Sequence, residues 1–229
     1  MSAKNTYNKI LTGFLVIMGI ILIGIAGYAI YDFISAKMIN NKSEEFISEF
    51  ENEMNVVDSE IITDENVDTN QTTTDNTSGS SKSSKVSSSR SKKKKKSTKK
   101  YYSYDICGYI RIPKTGIKYP IIADYSRNAL EKGICLEYGP GPNEPGNTVL
   151  AGHNYLNRLF FSKNKNLKKG DKIYITDVYG VTVEYEIYKK FETSPKDTSY
   201  YFRDTKGEPE LTLATCSKNG SKRLILYAK

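Results

Sequence analysis

The chain has 229 residues, 34 of them basic and 26 acidic, for a formal net charge of +8. An excess of that size points to nucleic acid or an anionic surface as partner, but ten of the basic residues fall between Lys82 and Lys100, leaving 24 basic against 26 acidic residues elsewhere. The charge belongs to one segment, and a folded domain that is basic throughout is excluded.

Residues 1–9 form a short leader containing Lys4 and Lys9. From Ile10 to Tyr31, "ILTGFLVIMGIILIGIAGYAIY" carries no charge, and about twenty apolar residues suffice to cross a hydrocarbon core as a helix. A cleaved secretory signal is the alternative. Signal cores, however, run to about 7–15 residues, and "AGYA" matches a small-x-small cleavage site poorly. The reading is therefore an uncleaved, single-pass anchor over residues 10–31, with the N-terminus cytoplasmic by the positive-inside rule and all that follows Asp32 outside.

Residues 32–62 are expected to form an acidic juxtamembrane helix. Phe46, Phe50, Met54 and Val57 recur there at spacings of three and four, the helical period, so this helix continues the span or pairs with a neighbour. Residues 63–100 read as a linker. Its first part, "TDENVDTNQTTTDNTSGSSKSSKVSSSRS", has almost no apolar side chains and cannot offset the entropy lost on folding. Its last part, "KKKKKSTKK" from Lys92 to Lys100, reads equally as a solvated basic stretch or as a contact for an anionic polymer or lipid head group. Nucleic acid is not an expected partner, because an exported segment behind an anchor does not meet it.

Residues 101–229 are long enough for one core. Short runs rich in Ile, Val, Tyr and Leu, such as "CGYIRIP", "IKYPII", "NTVLAGH", "DKIYITD", "ELTLATC" and "RLILYAK", alternate with turn clusters such as "PKTG", "YGPGPNEPG" and "KKGD". That texture predicts an all-β sandwich or barrel. "SRNALEKG" and "LNRLFFSKNKNL" are the expected short helices, and "DVYGVTVEYEIYKKF" is expected to be a hairpin about Tyr179-Gly180.

The reactive side chains are few: one histidine, His153, and three cysteines, Cys107, Cys135 and Cys216. An odd number leaves at least one thiol unpaired within the chain, and a Cys107–Cys135 disulfide stays open. The wide spacing of these groups gives no basis for a zinc site, and no cofactor is expected. Asn219-Gly220, between two apolar runs, is the preferred dipeptide of a two-residue type I′ hairpin turn. A turn there makes Ser217 face Lys222 and Cys216 face Arg223, on one side of the sheet. A guanidinium beside a cysteine favours the thiolate, or holds an oxygen that becomes negative when the thiolate attacks a carbonyl. Cys107 and Cys135 have no such neighbour in sequence and read as small buried hydrophobes. His153, where a buried strand gives way to a polar loop, reads either as a hydrogen-bonded strand end or as the proton acceptor and donor that a cysteine nucleophile needs.

"TLATC" with an arginine at the head of the next strand, "EPGNTVLAGHN" upstream, and "GYIRIPKTGIKYPII" and "ETSPKDTSYYF" in the right order resemble the sortases, membrane-anchored cysteine transpeptidases of Gram-positive bacteria. The resemblance spans residues 104 to 229. It implies a closed eight-stranded sortase β-barrel with the catalytic groove on its outer surface. It also implies Cys216 as nucleophile, His153 as general acid/base and Arg223 as stabiliser of the oxyanion or orienter of the bound peptide. Thr215, which precedes the nucleophile, and Ala214, on the Cys216 side of the strand, are candidate groove residues. The implied reaction cleaves an LPxTG-like sorting signal after its threonine to a thioester, which an amine of a peptidoglycan precursor then resolves. The implied partners are therefore surface proteins bearing the signal and an amine acceptor.

The chain lacks tryptophan for an aspartate-proline-tryptophan lid and has no second apolar span, which argues against the pilin-polymerising sortases. The interval between Tyr188 and Cys216 leaves little room for the long helix of the iron-acquisition type. A housekeeping-like or class D-like enzyme is expected. Two alternatives remain open: a cysteine peptidase that releases its product to water, and a non-enzymatic envelope adhesin in which Cys216 is merely buried.

Overall fold

The uncharged run from Ile10 to Tyr31 does not end in a break. In the computed structural model it lies within one helix, α1 (Ser2–Thr63), about 90 Å long at 1.5 Å per residue. The structure describes residues 2–63, 96–155, 157–217 and 220–229, with side-chain surroundings in the first of these stretches given for 7–55. Most of the linker reading, residues 64–95, and the side chain of Val57 therefore lie outside the described residues. The anchor and the acidic helix are thus one continuous element. Its apolar portion is exposed and is long and apolar enough to cross a membrane, by length and composition.

The other half of α1 is docked on the barrel. Phe46, Ile47 and Phe50 are buried in a cluster with Tyr101, Ile106, Ile122 and Cys135, against which Met54 also packs. Each such side chain is worth about 1.5–3 kcal/mol when fully removed from water. The periodicity of Phe46, Phe50 and Met54 is thus answered by packing within the chain. Polar contacts fix the register of docking: Tyr119 donates its hydroxyl to Asn40 (2.5 Å), Ser43 to the Lys118 carbonyl (3.0 Å) and Tyr109 to Glu51 (2.8 Å). Residues 96–100, at the end of the segment read as linker, are also seated on α1. Ser97 is buried and donates to Glu53 (3.0 Å), and Lys99 pairs with Glu49 (3.0 Å). Lys100 pairs with Asp105 (3.1 Å) on the barrel.

The barrel is built from β1 (Lys100–Tyr101), β2 (Tyr104–Ile112), β3 (Ile117–Ile122), β4 (Ile134–Tyr138), β5 (Gly146–Ala151), β6 (Lys172–Asp177), β7 (Thr182–Thr193), β8 (Pro209–Ser217) and β9 (Lys222–Ala228). The strand order is β1-β2-β3-β4-β5-β8-β9-β7-β6, and a further β2–β6 pairing closes it. The two-residue β1 lies outside the ring, so the closed barrel has the eight strands the family resemblance implies. Two pairings, β3–β4 and β5–β8, are parallel; the others are antiparallel. A short helix, α2 (Arg127–Leu130), and a 3-10 turn at Phe161–Asn166 occupy the two segments expected to be helical. A further 3-10 turn at Pro113–Thr115 was not anticipated.

Alternation fills the interior. β2 buries every second residue from Ile106 to Ile112, as a strand with one face inward must. Ile110, Ile112, Leu150, Leu213 and Leu226 form the main core with Phe160 and Phe161. The opposite face of β5, β8 and β9 carries a smaller cluster of Val149, Ala214 and Ile225, covered by Tyr200. Cys216 lies on this outer face, one step along β8 from Ala214.

Candidate active site

Strands β5 and β8 pair with a constant offset, Gly146 with Pro209 through to Ala151 with Ala214. Continued two residues beyond the end of β5, that offset brings His153 alongside Cys216. Hydrogen bonds hold the extension: Gly152 N–H to the Ala214 carbonyl (3.2 Å), the Thr215 hydroxyl to the Gly152 carbonyl (2.7 Å) and the Asn154 amide to the Cys216 carbonyl (2.8 Å). Gly152 is needed for its size. A Cβ there would lie 2.7 Å from Ile134 Cδ1 and 2.9 Å from Phe161 Cδ2, both fully buried. The "AGHN" stretch is therefore a staple to β8 as well as the source of the imidazole.

Arg223 arrives from the opposite side. Antiparallel pairing of β8 and β9 matches Ser217 with Lys222 and Cys216 with Arg223, the register that an Asn219-Gly220 turn predicts. Gly220 has φ 87°, while Lys218 and Asn219 lie outside the described residues. Arg223 Nη1 donates to Cys216 Sγ at 2.7 Å.

Cys216, His153 and Arg223 line one small cavity of about 80 Å³, together with Tyr125, Glu137, Ala214 and Thr215. Cys216 also borders a larger one of about 750 Å³, whose walls include Asn154, Lys190, Phe191, Glu192 and Leu224. Cys216 thus stands on the border between two cavities. Thr215 is buried and borders both cavities, but its hydroxyl is committed to Gly152; Ala214 offers only a methyl group.

Partial burial holds the His153 imidazole below the ordinary histidine value, with Arg127 and Arg223 acting in the same direction and Glu131 opposing. The ring is thus neutral at neutral pH, able to accept a proton, and it stacks on Tyr155 at 4.6 Å. The three cysteines are free. Burial pushes the Cys107 and Cys135 thiols up to about 12, which leaves them protonated and poor nucleophiles. Cys107 donates weakly to the Ile121 carbonyl (3.5 Å).

Sequence reasoning missed several residues that line this site. Asn154 was in view within "AGHN", yet only the parallel pairing shows its amide on the Cys216 carbonyl. Glu137 accepts from Tyr201 (2.8 Å) and, with Tyr125, walls the small cavity. Both come from segments with no local signature of a site.

The family profile described as "Sortase domain" matches residues 110–229. A sortase A of Bacillus anthracis is 32% identical over 124 residues, 53% of this chain and 58% of the relative. Among solved structures, a Clostridium perfringens sortase D5 transpeptidase is 34% identical with a TM-score of 0.50, covering 55% of this chain and 78% of that one. A Streptococcus pneumoniae sortase C gives 29% identity and a TM-score of 0.50, over 54% of this chain and 65% of that one. The chain belongs to the sortase family, and the matched part spans little more than half the length of the curated relative.

Proposed function

We propose that the chain is a membrane-anchored cysteine transpeptidase that cleaves an LPxTG-like sorting signal and transfers the acyl group to an amine of a cell-wall precursor. The observation that carries this reading is the Arg223 guanidinium on the Cys216 sulfur at 2.7 Å, with His153 in the same cavity. In the first step the proton of the Cys216 thiol passes to His153, and the sulfur attacks the carbonyl carbon of the signal's threonine. The Arg223 N–H groups turn from the sulfur to the oxyanion that forms, whose stabilisation is the largest electrostatic contribution in acyl transfer. The C–N bond then breaks, and His153 returns its proton to the departing amine, leaving a thioester on Cys216.

In the second step an incoming amine attacks the thioester carbonyl and gives its proton to His153; the C–S bond breaks, and His153 passes that proton to the departing sulfur, which restores the Cys216 thiol and the neutral imidazole. Two cavities bordered by the same cysteine suit a reaction with two substrates. The housekeeping-like or class D-like reading rests on the lack of a tryptophan for the lid; the relatives include a sortase A, a sortase D5 and a sortase C. By the positive-inside reading, residues 1–9 are cytoplasmic, residues 10–31 span the membrane and the barrel lies outside it. Incubation with a sorting-signal peptide, with and without a nucleophilic amine, tests the proposal. Amide product is expected when the amine is present; free acid alone in both reactions would refute transfer.

A further inference from the structure

Beside the docked helix lies a cavity that the acyl-transfer chemistry does not use. About 550 Å³ in volume and open to the surface, it lies between α1 and the segment that follows the active-site histidine, and it is lined by Asp32, Lys37, Asn40, Asn157, Arg158 and Lys163 among others. Three of these are cations and one is a carboxylate. Asp32 is engaged by the Asn157 amide (3.1 Å). The Lys163 ammonium donates to the Thr115 carbonyl (3.0 Å), which leaves further N–H groups on an ammonium that has three. Among the described residues no ion pair holds Lys37 or Arg158. Arg158 has φ 69° and Phe160 φ 51°, left-handed conformations that non-glycine residues adopt at a cost and that accompany functional loops.

The position of the cavity along α1 identifies its ligand. Asp32 and Lys37 are the first two charged residues after the uncharged run that ends at Tyr31. At 1.5 Å per residue, the Lys37 backbone lies about 9 Å beyond that end, just outside a headgroup layer that adds about 5–7 Å on each side of the hydrocarbon core, and its long side chain reaches back into that layer. On the membrane-anchor reading proposed above, a continuous α1 whose next turns are fastened to the barrel through Asn40, Ser43 and Phe46 holds this face of the barrel against the bilayer surface. We infer that the cavity lined by Lys37, Arg158 and Lys163 binds the phosphate of a membrane lipid headgroup. Guanidinium and ammonium donors around a pocket with surplus positive charge match phosphate oxygens. The phosphate could belong to a glycerophospholipid or to a polyprenyl diphosphate that carries a wall precursor; the chemistry recognised is the same.

Native mass spectrometry of the full chain released from detergent micelles tests this without reference to catalysis. Four additions are compared: phosphatidylglycerol, a polyprenyl diphosphate, diacylglycerol and inorganic phosphate. Retention of either phosphate-bearing lipid is expected, and the one retained more strongly names the source. Equal retention of diacylglycerol, or binding of inorganic phosphate alone at comparable affinity, would overturn the inference. A basic side chain near an anionic headgroup is worth about a factor of five in binding, so Lys37→Gln with Arg158→Gln should weaken retention about 30-fold. Lys4→Gln with Lys9→Gln, at the other end of the span, should leave it unchanged; the reverse pattern would contradict the site. Neither Lys37 nor Arg158 lines the cavities at Cys216, so the double variant should keep its melting temperature. If it does not, Lys37→Gln alone, at an exposed position on the helix, should still weaken retention about five-fold.

Discussion

Replacing Thr215 by valine would separate a positioning role from a substrate-binding one. The substitution keeps the shape of the side chain but removes the hydroxyl that donates to the Gly152 carbonyl at 2.7 Å. Thr215 is 4% exposed, so water cannot replace the lost donor. An unsatisfied buried acceptor costs about 1–3 kcal/mol, and for a domain of this size each kcal/mol corresponds to about 3–5 °C in melting temperature. A fall of about 3–15 °C is expected in a thermal melt followed by circular dichroism. Because Gly152 adjoins His153, the same change should lower kcat on a sorting-signal peptide by about ten-fold or more while KM moves little, and Thr215→Ser should restore most of both. An unchanged melt and unchanged kcat would refute the staple. A rise in KM alone would instead make Thr215 a groove residue.

Further substitutions probe the rest of the account. Gly152→Ala should push Ile134 or Phe161 off its packing and lose about 1–3 kcal/mol by overpacking, read as a lower urea midpoint together with reduced turnover. The acidic limb of kcat/KM should lie below the ordinary histidine value of about 6.5, because burial lowers the His153 pKa and the neutral ring therefore survives to lower pH; a limb above that value would contradict its use as a base. Phe50→Ala should weaken the seat of α1 by about 3–5 kcal/mol. Limited proteolysis between the span and the barrel would then accelerate, while soluble-peptide turnover persists.

The strands were legible because their burial is one-sided or complete. The period of two in "VTVEYEI" and the apolar run of "NTVLA" carry their structural meaning within a few residues, as did the turn dipeptide that matches Cys216 to Arg223. His153 was harder to place. Its position beside Cys216 depends on a parallel pairing between segments 63 residues apart, and nothing local in either segment specifies that register. The docked helix shows the same limit. Phe46 and Phe50 announce a helical face at i and i+4, but their partners Tyr101 and Tyr109 lie on the far side of the Ser- and Lys-rich segment. Glu137 reaches the site only through the successive β4–β5 and β5–β8 pairings, and Tyr125 from the connection between β3 and β4. Local periodicity reports which face is apolar, whereas the identity of what covers it is a property of topology.

Intact-protein mass spectrometry after brief mixing with a sorting-signal peptide tests the central claim most directly. The account predicts an adduct with the mass of the peptide acylated through its threonine, mapped to Cys216, discharged by an added amine and missing from Cys216→Ala. An adduct that forms on Cys107 or Cys135, or turnover that persists in Cys216→Ala, would contradict it.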